Sequence, residues 1–298
     1  MREEKNLNED RLKFIKQLGV DDVVIHTPRL PGEKQWEFDD LLNLRRSVEG
    51  ACLRLGAIEN VPKHFYEGAM LGLPERDEQI ECMQNTIRNM GKAGVPVFGY
   101  HWVPNSVWRT TPAKDRGDAT ATSFDYDEAK DRPLTHGREY TAEEMWDNYT
   151  RFIKAVAPVA EEAGVRMALH PDDPPVESLG GIARIFGSFE AFKRGTEIVD
   201  SDYNGLEFCQ GCWAEMGEDV CEVIRYFGKK IFYVHFRDVV GTVPKFRESF
   251  IDSGDTDMYK AMRAYKESGF KGILIPDHGP NMVKDIPWSY IGRGYAIG

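Results

Sequence analysis

Short β-rich runs alternate with amphipathic helical stretches along nearly the whole chain, and that alternation limits the possible folds more than any other feature. The runs are DVVIH, LRLGAIENV, VPVFGYHWV, VRMALH, LEFCQ, IFYVHF and GILIPDH. Helical periodicity covers about 8–18, 38–50, 75–93, 141–163, 188–199, 217–227 and 256–268. The longest of these opens on Thr141-Ala-Glu-Glu144, a capping-box pattern. Repeated β–α units predict a parallel sheet. Seven or eight of them in 298 residues favour a closed TIM (β/α)8 barrel over an open doubly wound sheet. An eighth run near Lys245–Ile251 is much weaker than the others.

Glycine placement sharpens the expectation. Gly19, Gly94, Gly164, Gly205, Gly228 and Gly269 each fall where a helical pattern ends, and the next strand begins within a few residues. Glycine takes the left-handed C-terminal cap position without a Cβ penalty, so the helix-to-strand turns are short. The strand-to-helix segments, about 101–140, 171–187, 236–255 and 278–298, are long and polar. A barrel that works at the C-terminal ends of its strands has this asymmetry. No domain boundary or internal repeat shows, so 1–298 reads as a single TIM-barrel catalytic domain. Within it, residues 105–140 are rich in Asp, Lys, Thr and Gly and lack an apolar period. They form a candidate lid, with a disordered insertion as the alternative. The chain ends twenty residues after His278, where a regular barrel places a helix. The sequence therefore predicts an incomplete C-terminal helix, with the ring closed by the helix at 8–18 or covered by a partner chain, which leaves a homo-oligomer open.

Composition excludes several classes. Lys+Arg 38 against Asp+Glu 49 gives a net charge of −11, which argues against nucleic acid as a partner. No apolar run approaches the ~20 residues that span a bilayer. The start MREEKNLNED lacks the apolar stretch of a secretory signal. Five cysteines in a chain this long make no disulfide framework, and the odd count fits a reducing, cytoplasmic setting.

Residues with metal-binding chemistry cluster where separate strands end. They are His170 in MALHPDD, Cys209 in LEFCQGC, His235 in FYVHFRD, and Asp277 with His278 in LIPDHGP. A lone histidine is more often a core or capping residue than a ligand. Three strand ends brought together by one fold change that balance. His170, Cys209, His235 and Asp277 supply two imidazoles, a thiolate and a carboxylate, a set suited to a divalent metal acting as Lewis acid. Cys209-Gln-Gly-Cys212 also admits a redox pair; a zinc ribbon would need a second such pair, which is lacking. Cys212, Cys221, Cys52 and Cys82 read as buried small hydrophobes. Arg237, two residues beyond His235, faces the same way along a strand and can bind a substrate carboxylate bidentately, with a rim salt bridge as the plainer alternative. Arg109 and Arg293 raise the same choice on loops. His101, like His26 and Glu59, ends a strand and can hydrogen-bond a polyol. His278 adjoins a proposed ligand without having to bind metal, and it suits general acid–base work. Asp172 and Asp173 read as turn caps ahead of Pro174.

These motifs resemble mannonate dehydratase. HPDDPP, LGGIARI, CQG, VHFRDV, PDHGP and GYAIG follow one another in that family's order and spacing, and TIRNMGKAGVPVFGYHWVPNSVWRT resembles its third strand and the loop after it. The resemblance runs from about residue 14 onward. It implies a TIM barrel that dehydrates D-mannonate to 2-dehydro-3-deoxy-D-gluconate with Mn2+. It also implies His170, Cys209, His235 and Asp277 as ligands, His278 and Tyr295 as acid and base, and Arg237 as a substrate contact. Softness of a thiolate favours Zn2+ or Fe2+ instead, and Co2+ stays open. The chain departs from the family where His101 stands in YHWVP in place of a usual Asn, where ENVPKH replaces an ES-containing segment, and at both ends. The departures touch the expected substrate pocket more than the metal ligands. A metal-dependent sugar isomerase or epimerase on the same barrel, and a catalytically silent metal- or sugar-acid-binding homologue, are the rival readings.

Overall fold

A computed structural model of the chain describes residues 9–283 and Asp285. Seven parallel strands alternate with helices, as the hydrophobic periods require. They are β1 (Asp22–His26), β2 (Arg54–Glu59), β3 (Val97–His101), β4 (Arg166–His170), β5 (Asn204–Cys209), β6 (Ile231–His235) and β7 (Ile273–Ile275). They lie side by side in chain order in one sheet, the strand succession of a TIM-type (β/α) barrel. Every expected strand is present. The seven expected helices also occur, at Glu9–Gln17, Phe38–Glu49, Arg76–Ala93, Ala142–Ala163, Phe189–Glu197, Val220–Phe227 and Met258–Glu267. Among the described residues no helix is long and apolar enough to cross a membrane.

The chain divides into two compact units. The first comprises Met1–Pro104, Glu143–Leu169 and Gly195–Leu206, as far as these are described. Here β1 pairs with β2 in register from Asp22↔Arg54 to His26↔Glu59, and β2 pairs with β3 at Ile58↔Phe98. β4 pairs with β5 from Met167↔Asn204 to Leu169↔Leu206. The core of this unit is aromatic: Phe152 packs against Tyr100 and Trp102, and the Tyr100 and Tyr149 hydroxyls lie 3.2 Å apart. Gly94 ends its helix at φ +75°, with its N–H on the Met90 and Gly91 carbonyls, the left-handed cap expected there. Gly205 departs from that expectation. It lies inside β5 opposite Ala168, because the strand begins before it and not after it.

The second unit comprises Asn105–Ala142, His170–Arg194 and Glu207–Gly298, again as far as described. β6 pairs with β7 from Tyr233↔Ile273 to His235↔Ile275. The weak eighth run is not a barrel strand. Lys245–Glu248 lies between Val239–Thr242 and Ser123–Asp125 in a separate antiparallel sheet. The reason is the connection. Two residues, Val243 and Pro244, link it to the preceding strand, whereas a parallel neighbour needs a crossover of a dozen residues or more. Alternation then buries Phe246 and Glu248. Phe246 joins Phe124, Ala129, Leu179 and Val239 in a small apolar core. Residues 105–140 supply two members of that core and carry a hairpin (Ala113–Lys114 with Thr120–Ala121), a strand and a short helix. Their few apolar residues are spaced for this packing and not for one long helix, which is why no period shows.

Candidate active site

Parallel strands end together, so side chains at the last positions of β4, β5 and β6 meet. The ligand atoms of His170, Cys209 and His235 all lie within 4.8 Å of one another. The two imidazole rings stand 5.2 Å apart. His170 Nδ1 lies 2.6 Å from the Pro171 carbonyl and donates to it, which leaves Nε2 as the atom free to ligate. His235 Nδ1 lies 3.3 Å from Asp277 Oδ2, two residues past the end of β7. On its other side, His235 Nε2 lies 2.8 Å from Glu207 Oε1, and the same oxygen is 3.9 Å from His170 Nε2. Glu207 and Cys209 project from the same face of β5, since side chains alternate along a strand.

The electrostatics suit a bound cation. Burial works against a charge on Cys209, but a hydrogen bond from Cys212 and the positive charges of Arg237 and His170 outweigh it and hold the thiol well below its ordinary pKa. Burial also opposes the charged form of His170, yet Glu207 and the Cys209 sulfur raise it to about 9. A cation entering here would displace that proton, because a ligating imidazole is neutral. Two imidazoles and a thiolate are thus preassembled, with the carboxylates of Glu207 and Asp277 against the two nitrogens of His235.

Beside this group lies a buried ion network. Arg237 is fully buried; both Nη atoms donate hydrogen bonds, and Nε makes only an ion-pair contact. Nη1 lies 2.9 Å from Glu215 and 3.0 Å from Glu248. Nη2 lies 3.3 Å from Asp173 and 3.3 Å from the Cys212 sulfur. Nε lies 3.4 Å from Asp277. Arg109 grips Asp173 through two bonds of 2.5 and 2.8 Å and reaches Glu248 at 2.9 Å. Burial resists the charge on Asp173, but Arg109 and then Arg237 outweigh it and bring its pKa down to about 2. Burial and the nearby Asp173 charge push Glu215 the other way, well above the carboxylate range. The loop carrying Arg109 is fixed by Arg184, which donates at 2.9 Å to the carbonyls of both Ser106 and Asp173. His278 completes the network, with Nδ1 3.1 Å from Glu248 and Nε2 3.4 Å from Asp277.

Gly211 makes room for Arg237. A Cβ there would overlap the guanidinium, so Gly211→Ala is expected to cost about 1–3 kcal/mol through overpacking. Denaturant unfolding measures this; wild-type stability would mean that Arg237 moves aside freely.

The expected site residues fall out as follows. His170, Cys209, His235, Asp277, His278, Arg237 and Arg109 all lie in the second unit. His101 belongs to the first, where its carbonyl accepts from the Tyr66 hydroxyl at 3.0 Å. His26 and Glu59 lie there too, 3.6 Å apart. Tyr295 and Arg293 lie outside the described residues. Cys212 is buried as expected but bonds to Arg237 and Cys209, so it is more than an apolar filler. Contrary to expectation, Cys52 is exposed and Cys82 and Cys221 are only half-buried. Asp173 is an ion-pair hub and not merely a turn cap. Sequence reading missed Glu207, Glu215 and Glu248. Glu207 carried a usable signal, a carboxylate two residues before Cys209 on the same strand face. Glu248 carried none, because the hairpin that delivers it is visible only in three dimensions.

Comparison with known proteins is decisive for the family. The family model described as D-mannonate dehydratase (UxuA) matches residues 5–137 and 132–298. The chain belongs to the mannonate dehydratase family. Its relatives include the mannonate dehydratase of Thermotoga maritima, 34% identical over 90% of this chain and 85% of that one. That of Streptococcus pneumoniae is 33% identical over 90% and 81%. The crystal structure of mannonate dehydratase from Streptococcus suis serotype 2 superposes with a TM-score of 0.91 at 30% identity, over 100% of this chain and 90% of that one. A D-psicose 3-epimerase from Clostridium cellulolyticum H10 shares the fold alone, at 14% identity and a TM-score of 0.60 over 98% and 84%. As a member of the mannonate dehydratase family the chain is an enzyme, a carbon–oxygen hydro-lyase of the sugar-acid dehydratase class.

Proposed function

We propose that this enzyme removes water from D-mannonate, giving 2-dehydro-3-deoxy-D-gluconate, with a divalent metal, Mn2+, held by His170, Cys209, His235 and Asp277. The convergence of the His170, Cys209 and His235 ligand atoms within 4.8 Å carries this reading. When bound, the metal supplies Lewis-acid stabilisation of negative charge on the substrate. A thiolate ligand has to stay reduced, which fits the cytoplasmic setting expected from composition.

The reaction asks for two proton movements. The proton beside the substrate carboxylate is weakly acidic, and hydroxide is a poor leaving group, so one group takes a proton while another delivers one. His278 is assigned one of these parts. Glu248 at Nδ1 orients its ring and leaves Nε2 on the Asp277 side. Tyr295 is assigned the other part on the family pattern. Residues 105–140 are assigned the role of lid, with Arg109 anchoring their first stretch to Asp173 and Glu248.

Arg237 is assigned a positioning role, because its N–H groups already face protein partners. It pairs with Asp277 and helps to hold the Cys209 thiol below its ordinary pKa, and it does not reach out to the substrate carboxylate. Arg237→Lys is then expected to lower stability by about 1–3 kcal/mol, since three ammonium donors cannot serve the buried acceptors that the planar fork serves. Metal affinity should fall with it. A raised KM at wild-type stability and metal content would instead return Arg237 to the substrate.

Product analysis tests the reaction. Metal-loaded protein is incubated with D-mannonate and with a panel of C5 and C6 aldonic and uronic acids. Loss of water to a 2-keto-3-deoxy acid, with D-mannonate fastest, is the expected result. A rearranged sugar of unchanged mass would establish isomerase or epimerase chemistry, and no turnover of any acid would leave a binding homologue.

A further inference from the structure

We propose that Cys209 and Cys212 close a reversible disulfide that takes Cys209 out of the metal site, so that a hydroperoxide switches the enzyme off and a thiol restores it; the metal half of this rests on the reading of Cys209 as a ligand. Backbone geometry is the first ground. β5 ends at Cys209, and the helix Gln210–Glu215 begins on the next residue. Cys209 is therefore the N-cap, with an extended backbone, and Cys212 is the third residue of the first turn. Side chains three apart on a helix stand about 5–6 Å from Cβ to Cβ, and a disulfide needs about 3.5–4.5 Å. The remaining closure is small, because Cys212 already donates a hydrogen bond to the Cys209 sulfur. Both thiols are free in the structure, and no other two cysteines of the chain lie so near in sequence.

The surroundings are the second ground. Both cysteines are buried, but the ligand atoms of Cys209 and His170 lie within 4.8 Å of each other, and His170 keeps 13% of its side chain exposed. A solute as small as a peroxide, which is smaller than any sugar acid, thus has its way in beside the Cys209 sulfur. Arg237 Nη2 lies 3.3 Å from the Cys212 sulfur and can support the negative charge that grows there as its proton leaves.

The chemistry balances with hydrogen peroxide as oxidant. The Cys209 sulfur attacks one peroxide oxygen, the O–O bond breaks, and Cys209 becomes a sulfenic acid as one water leaves. The Cys212 sulfur then attacks the Cys209 sulfur, the S–O bond breaks, and a second water departs with the Cys212 proton. Two thiols have lost two electrons to the peroxide, and a small dithiol returns them by exchange. Since the thiolate is the form that ligates, the disulfide removes one proposed ligand and leaves the imidazoles in place. A metal already bound should shield the sulfur in return, because the coupling between two events at one atom is reciprocal.

The test uses the metal-free full-length wild-type chain, hydrogen peroxide, and alkylation of remaining thiols before peptide mass analysis. The peptide holding Cys209 and Cys212 is expected to be lighter by two hydrogen atoms, to resist alkylation at both positions, and to revert with dithiothreitol. Mn2+ affinity of the oxidised chain is expected to fall at least about 10-fold and to return on reduction, since even outer partners of ligands are worth that much. Prior loading with Mn2+ should slow the bridge. Cys212→Ser lacks the second sulfur, so its peroxide product should trap with dimedone at Cys209 and then pass to sulfinic acid, which dithiothreitol does not reverse. Both thiols intact after peroxide, or a wild-type Cys209 that runs straight to sulfinic acid, would overturn the proposal. A bridge that forms with Mn2+ affinity unchanged overturns the switch and removes Cys209 from the metal site. The mass measurement needs no metal, so the two readings fail separately: a reduced chain that binds no divalent cation removes the metal reading, and the switch with it, whatever the thiols do.

Discussion

His278→Asn is expected to slow turnover of the dehydration substrate by about 10²–10⁴-fold while leaving metal content near wild type. That range is what a single general acid or base contributes when the rest of a site stays in place. The prediction follows from position. His278 Nδ1 faces Glu248 at 3.1 Å and Nε2 faces Asp277 at 3.4 Å. Asparagine can keep one such hydrogen bond, but it cannot carry a proton at neutral pH. Single-turnover kinetics and metal analysis on the same preparation separate the possibilities. Metal lost together with activity would make His278 a ligand. Near-normal turnover would move the proton transfer elsewhere, with Tyr295 the first residue to examine.

His235→Ala is expected to abolish stoichiometric metal binding, with affinity reduced by more than about 100-fold. The comparison is with outer partners of metal ligands, whose loss alone typically costs 10–100-fold. His235 sits at the centre of the candidate group, buried between Glu207 at 2.8 Å and Asp277 at 3.3 Å. Removing its ring takes away one donor and also the group that spaces those two carboxylates. Circular dichroism should still report a folded α/β protein, because the strands and their register do not depend on this side chain. Metal content by mass spectrometry decides the matter. Full occupancy in the variant would remove His235 from the site.

Both predictions concern residues that the sequence already singled out, and there is a physical reason. A parallel β/α chain fixes where each strand stops, and residues at those stops share one end of the sheet whatever the details of packing. Alternation within the strands and short glycine-capped turns are local properties. They determined the strand succession, the positions of the seven expected helices, and the nearness of His170, Cys209 and His235. The motif order likewise determined the family, which the comparisons then established.

Tertiary structure decided what those side chains face. In sequence, Arg237 is a cation two residues from a candidate ligand, equally suited to a substrate or a salt bridge. Its commitment to Glu215, Glu248, Asp173 and Asp277 depends on groups up to 64 residues away. Glu248 reaches the site because a two-residue turn folds its strand back antiparallel, which a count of β-rich runs mistakes for a further barrel strand. Segment 105–140 has no apolar period because its core partners, Val239 and Phe246, come from a distant hairpin. Local propensity sets strands, helices and their ends. The pairing of buried charges is a long-range property, and only the folded chain determines it.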